Sequence, residues 1–184
     1  MIGGCAALAL RRRRRPICYA ARVPEGVQVR RAAQEDRDLV LGYHRALYLD
    51  HRNSVVPADI LPLYAYVDFE SVLRQDVDGL LARAGCVVLI AEQEGRPVGY
   101  ITGRVEHDAR RVMARRGVVE DWYVEEAARG RGVGRALIDV LIDTFRREGC
   151  TLLESSTWAS NEGARRAHRR LGFDETQIQF RKRI

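Results

Sequence analysis

An α/β fold on a mixed sheet is predicted for these 184 residues, and three features of the chain predict it. Apolar runs of strand length alternate with segments whose apolar residues recur at helical spacing. Two of the runs, 86–92 and 98–106, flank Glu94-Gly95-Arg96-Pro97, a turn signal that makes them an antiparallel hairpin. Two more, 118–124 and 150–154, bracket a helix, and such a crossover makes its strands parallel. The result is a mostly antiparallel sheet with one parallel pair and helices on both faces.

Taken in order, VQVRR at 27–31 reads as a first strand, and Gln34, Glu35 and Asp36 mark a helix start. Leu39, Val40, Tyr43, Leu47 and Tyr48 follow at helical spacing. Residues 53–62 hold two prolines and read as a loop. Helical periodicity resumes over 63–81 through Tyr66, Phe69, Leu73, Val77 and Leu80. The hairpin comes next, then an Arg-rich loop at 107–117 and the strand VVEDWYV. After a glycine-rich turn at 129–134, a helix presents Val133, Ala136, Leu137, Val140, Leu141 and Phe145 on one face and stops at Gly149. CTLLE at 150–154 is a strand, 164–171 a helix stopped by Gly172, and 177–180 a last strand.

The charge of +6 is uneven. Residues 1–26 hold six Arg and one Glu, so the body from 27 to 184 is nearly neutral. That division predicts a disordered basic extension, 1–26, ahead of a single domain, 27–184, and argues against a nucleic-acid binder. In the extension Arg11 to Arg15 follow the apolar stretch, the reverse of a secretory leader, and a transit peptide is disfavoured by the lack of Ser. The chain has no apolar run long enough for a membrane helix. Cys5, Cys18, Cys86 and Cys150 form no CxxC pair, and no two His stand at metal-ligand spacing. Buried reduced thiols at Cys86 and Cys150, a cytoplasmic setting and no metal are expected.

Chemistry concentrates at Arg129-Gly130-Arg131-Gly132-Val133-Gly134, between a strand and an amphipathic helix. Glycines let backbone approach an anion, and free N–H groups at a helix start point toward it. The spacing is neither a P-loop, since Arg135-Ala136 follows Gly134, nor a dinucleotide fingerprint. Read alone, the turn is either an anion cradle or a plain tight turn. The longer segments VVEDWYVEEAARGRGVGRALI (118–138) and NEGARRAHRRLGF (161–173), together with the order of elements, resemble the GNAT superfamily of N-acetyltransferases over 27–180.

That resemblance implies a parallel pair splayed to admit CoA and transfer of acetyl from acetyl-CoA to an amine, by direct attack. The acceptor would be a small amine or a peptide amino group; the alternative is a non-catalytic acyl-CoA-binding module. It implies pyrophosphate on Arg129, Gly130, Arg131, Gly132, Val133, Gly134 and Arg135. The pantetheine arm would lie along Trp122, Tyr123 and Val124, with the Val124 N–H on the thioester carbonyl and Asn161 nearby. Asn161 is also a natural helix N-cap. Glu120 is the candidate base; barring a bulge, strand parity sets it on one face with Trp122 and Val124, and Asp121 on the other. Its four-residue distance from Val124, about 13 Å, calls for a water relay or a bulge. His168 stands where many members of the family have a Tyr that protonates the departing thiolate. It is either an imidazolium donor or a hydrogen-bonded core residue with water as the acid. Tyr43, Tyr48, Asp50, His51, Tyr64, Tyr66, Asp68 and Glu70 fall where the family's acceptor rim would lie. A homodimer is left open.

Overall fold

The computed structural model describes residues 24–182, so most of the basic extension lies outside the described residues. Strand β1 (Val27–Arg31) leads through a short 3-10 turn into helix α1 (Arg37–Asp50). The Arg30 guanidinium grips the Asp36 carboxylate with two bonds of 2.6 and 2.8 Å, tying that strand to the helix start. Helix α1 runs on into a π-helical turn, His51–Val55. Helix α2 (Phe69–Ala82) starts six residues later than periodicity predicts. Asp68 accepts the Ser71 N–H at 3.0 Å as its N-cap, and the preceding Leu61–Leu63 segment is a 3-10 turn.

Strands β2 (Cys86–Gln93) and β3 (Arg96–His107) form the predicted hairpin, with Glu94 and Gly95 both at positive φ, 53° and 75°. Strand β4 (Arg115–Val124) pairs antiparallel with β3; helix α3 (Val133–Arg147) crosses back; and β5 (Leu152–Ser155) pairs with β4 in parallel. Helix α4 (Glu162–Arg170) follows. The sheet order is β1-β2-β3-β4-β5. No described helix is long and apolar enough to cross a membrane.

The two faces of the sheet bury separate clusters. Val40, Tyr43 and Val77 of α1 and α2 pack on Val88, Ile90 and Tyr100. Val133, Ala136, Leu137, Leu141 and Phe145 of α3 pack on Leu89, Val98, Ile101 and Val119 across the other face. The Phe145 ring sits directly on Gly103 and Gly117, where the backbone of β3 and β4 is bare. Cys86 and Cys150 are buried free thiols, and burial raises both thiol pKa values.

The strand expected at 177–180 does not form. Its alternation of Gln and apolar residues is real, but a strand needs an edge to join. The tail leaves Ile178 and Phe180 exposed and carries the Arg181 guanidinium to 4.1 Å over the Tyr64 ring instead. Among the described residues β5 therefore ends the sheet.

Candidate active site

Strand β4 outlasts its parallel partner. The β4–β5 register ends at Val119↔Ser155, while β4 continues to Val124 paired only with β3. Beyond Val119 its outer edge is open. The Glu125 N–H donates to Val98 C=O at 2.9 Å on the β3 side. Alternation along a strand then turns the Val124 N–H and C=O toward the open edge, and Arg129 Nε donates to that carbonyl at 2.9 Å.

The glycine turn lies at the end of this edge. Gly130 and Gly132 adopt φ of 76° and 84°, a conformation that disfavours any side chain, and Gly132 is the N-cap of α3. The first N–H groups of α3 have no carbonyl of their own helix to bind, and the same segment carries Arg129, Arg131 and Arg135. Trp122 packs beneath Gly134, where a Cβ would meet its indole at 3.3 Å. Free amides, a cationic rim and a neighbouring open strand edge fit the diphosphate and amide-bearing arm of acetyl-CoA. Arg135 also bonds Asp139 at 2.7 Å.

The face expected for Glu120 needs correction. Register moves from Ile101↔Trp122 to Gly103↔Val119, which inserts one extra β4 residue at 120–121. This bulge breaks strict alternation and sends two consecutive side chains to one face. Glu120 does not share a face with Trp122 and Val124: it pairs with Arg104, which also holds Glu106. Asp121 faces the same way, not the opposite one. Asp121 lies against His44 of α1 and Glu120 is exposed beside Arg104, whereas Trp122 and Val124 join the α3 cluster.

Asp121 anchors a network that the sequence did not announce. Its Oδ2 lies 3.1 Å from His44 Nδ1 and accepts the Thr102 hydroxyl at 3.3 Å, while its N–H donates to Thr102 Oγ1 at 3.1 Å. The Tyr100 hydroxyl lies 3.2 Å from the same His44 nitrogen, and His44 Nε2 is 3.7 Å from Asp76. Burial on its own would lower the His44 pKa; the Asp121 and Asp76 carboxylates outweigh it and the pKa is raised. His51, two turns on, is lowered by burial, with Asp50 and Asp121 opposing. Tyr48 and Tyr66 stand 5.8 Å apart beside this group, and Tyr66 lies within the field of Asp76 and Asp121.

Other rim candidates have structural partners. Tyr43 is core, stacked 5.7 Å from Tyr100. Asp68 caps α2, Glu70 pairs with Arg45, and Asp50 lies 3.5 Å from Arg129. Tyr64 meets Trp158 edge-on at 4.4 Å. Asn161 caps α4, its Oδ1 accepting the Ala164 N–H at 3.0 Å.

His168 closes the crotch between the parting strands from the α3 side. Its ring meets Trp122 of β4 at 5.6 Å, and its Nε2 is 2.8 Å from Ser155 Oγ of β5. Glu120 and His168 therefore flank the opening from opposite faces of the sheet. Polar residues at Tyr100 and Thr102 in an apolar strand were the available sign of the His44–Asp121 network. Ser155 carried none.

Comparison with known proteins agrees with this architecture. Residues 57–173 match the Acetyltransferase (GNAT) family. An aminoglycoside N(6')-acetyltransferase type 1 of Stenotrophomonas maltophilia is 33% identical over 119 residues, 64% of this chain and 78% of that one. An L-methionine sulfoximine/L-methionine sulfone acetyltransferase of Pseudomonas aeruginosa is 34% identical over 95 residues, 50% of this chain and 54% of its own length. Among solved structures, a GCN5-related N-acetyltransferase from Ralstonia eutropha superposes with a TM-score of 0.68 at 20% identity, covering 85% of this chain and 98% of that one. Motif, open strand edge and family match converge: the chain belongs to the GNAT acetyltransferase family, and its reaction moves an acetyl group from acetyl-CoA to an amine.

Proposed function

We propose that the acceptor is a small polycationic amine of the aminoglycoside or diamine class, and that residues 27–184 act as one domain in the cytoplasm. The observation that supports this acceptor is the gathering of Asp50, Asp76 and Asp121 around His44, His51 and the Tyr48–Tyr66 pair on the face where β4 opens. Carboxylates attract ammonium groups, and aromatic faces accept cations without removing their charge. Two curated relatives are named aminoglycoside acetyltransferases, which agrees with it.

Bound acetyl-CoA supplies the activated thioester; the chain supplies the rest. Amides of Gly130, Gly132, Val133 and Gly134, with Arg129, Arg131 and Arg135, hold the phosphates. Trp122, Tyr123 and Val124 line the arm, with Asn161 at its flank. The Val124 N–H donates to the oxygen on which negative charge develops, a term that is often the largest in acyl transfer. Glu120 takes a proton from the acceptor ammonium, and His168 is the proton source on the leaving side.

The test is release of free thiol from acetyl-CoA with a panel of aminoglycosides, diamines, amino acids and N-terminal peptides. The expected result is kcat/KM at least about tenfold higher for the polycationic amines, a difference of about 1.4 kcal/mol. Turnover confined to peptides would refute the acceptor class.

A further inference from the structure

Arg129 opens the glycine turn, yet its side chain lies back on β4. Its Nε donates to the Val124 carbonyl at 2.9 Å, its Nη2 is 3.5 Å from Asp50 Oδ2, and the guanidinium carbon stands 5.8 Å over the Tyr123 ring. A carbonyl oxygen, a carboxylate and an aromatic face each favour positive charge, and here the three converge at the open edge of β4. The place suits a cation, and the chain fills it with its own guanidinium. Asp50 is the last residue of α1, the negative pole of that helix, where an acid is disfavoured unless a cation stands beside it. Of the three aspartates on this face, Asp50 is the one joined to Val124 through a single side chain; Asp76 and Asp121 face His44.

We infer that Asp50 is the carboxylate that receives an ammonium of the acceptor, and that Arg129 holds its place until the cofactor binds. This rests on the acceptor class and the arm placement proposed above. The Val124 carbonyl is turned to the open edge, so an amide N–H of an arm laid there competes with Arg129 Nε for it. Arg129 gives up that carbonyl and Asp50 for phosphate oxygens, which bind a planar guanidinium through two parallel hydrogen bonds. Asp50 is then free beside the Tyr123 ring, and an ammonium takes the position that the guanidinium leaves. Asp50 and Arg129 are both partly exposed, so side-chain motion alone accomplishes the exchange. The two sites are thereby coupled: filling the turn strengthens binding at Asp50, and linkage makes the reverse true by the same factor.

The experiment titrates neamine and spermidine into the full chain by calorimetry, with and without saturating CoA whose thiol is free, so that no turnover intervenes. In the wild type, CoA is expected to tighten amine binding by at least about fivefold. Asp50→Asn should bind both amines about fivefold more weakly than the CoA-loaded wild type, whether or not CoA is present. Arg129→Gln without CoA should bind them nearly as tightly as the CoA-loaded wild type. Adding Asp50→Asn to Arg129→Gln should erase that gain, which a general loss of charge repulsion would leave standing. Undiminished coupling in Arg129→Gln, or a gain that survives in the double variant, overturns the inference. So does wild-type affinity in Asp50→Asn. A CoA-loaded wild type that binds neither amine refutes the acceptor class itself. Binding and turnover of the amines with no coupling to CoA overturns only the exchange between Arg129 and Asp50.

Discussion

Gly117→Ala tests how α3 is seated. A Cβ built on Gly117 would stand 2.7 Å from Phe145 Cε2 and 2.8 Å from Cγ, well inside contact distance. Phe145 is itself only 2% exposed and is boxed in by the rest of its cluster. The ring also rests on Gly103, where a Cβ would meet its Cζ at 2.9 Å, so it has no vacant notch to slide into. Replacing Gly by Ala in a strand ordinarily gains about 0.5–1 kcal/mol. Overpacking a tight core costs about 1–3 kcal/mol. The balance is a loss of about 1–2 kcal/mol, a fall in Tm of roughly 3–8 °C for a chain of this size. Denaturant unfolding of the wild type, Gly117→Ala, Phe145→Leu and the double variant measures the coupling. The clash predicts that Phe145→Leu costs less when combined with Gly117→Ala than in the wild type. Additive costs, or an unchanged stability in Gly117→Ala, would refute the seating of the ring on bare backbone.

Three further outcomes follow from the site. Glu120→Gln should lower kcat by about 100-fold or more while acetyl-CoA still raises Tm; full turnover would remove Glu120 as base. Gly132→Ala forces a side chain into φ of 84° and toward Pro24 Cγ at 2.6 Å, so it should cost about 1–2 kcal/mol and weaken the acetyl-CoA thermal shift; an undiminished shift would show that the turn does not cradle the phosphates. His44 has a folded pKa raised above its unfolded value of about 6.5, so its contribution is complete below that pH and is lost as pH rises through the folded pKa. The stability gap between the wild type and His44→Gln should therefore shrink from pH 6 upward, and a gap that widens would contradict the Asp121 pairing.

Local signals made most of the fold legible. The hairpin turn, the apolar face of α3 and the RGRGVG turn each declare themselves within a few residues. The bulge did not, because nothing in VVEDWYV distinguishes a regular strand from one with an extra residue; register is decided by β3 across the sheet. His44 and Asp121 are 77 residues apart, and their meeting depends on how α1 is laid over β4. The late start of α2 is written in Asp68, whose cap on the Ser71 N–H overrides the periodicity of Leu63 and Tyr66. The failed last strand shows the converse: alternation in Gln177 to Phe180 states a preference, and only a free edge can satisfy it.

The position of Trp122 equips the protein with an internal optical gauge. Its indole lies beneath the glycine turn at Gly134 and edge-on to His168, and the chain holds only one other tryptophan, Trp158, packed against Tyr64. Fluorescence from a Trp158→Phe variant would then come from Trp122 alone, and its emission would respond as ligand fills the turn above it, reading binding without a label.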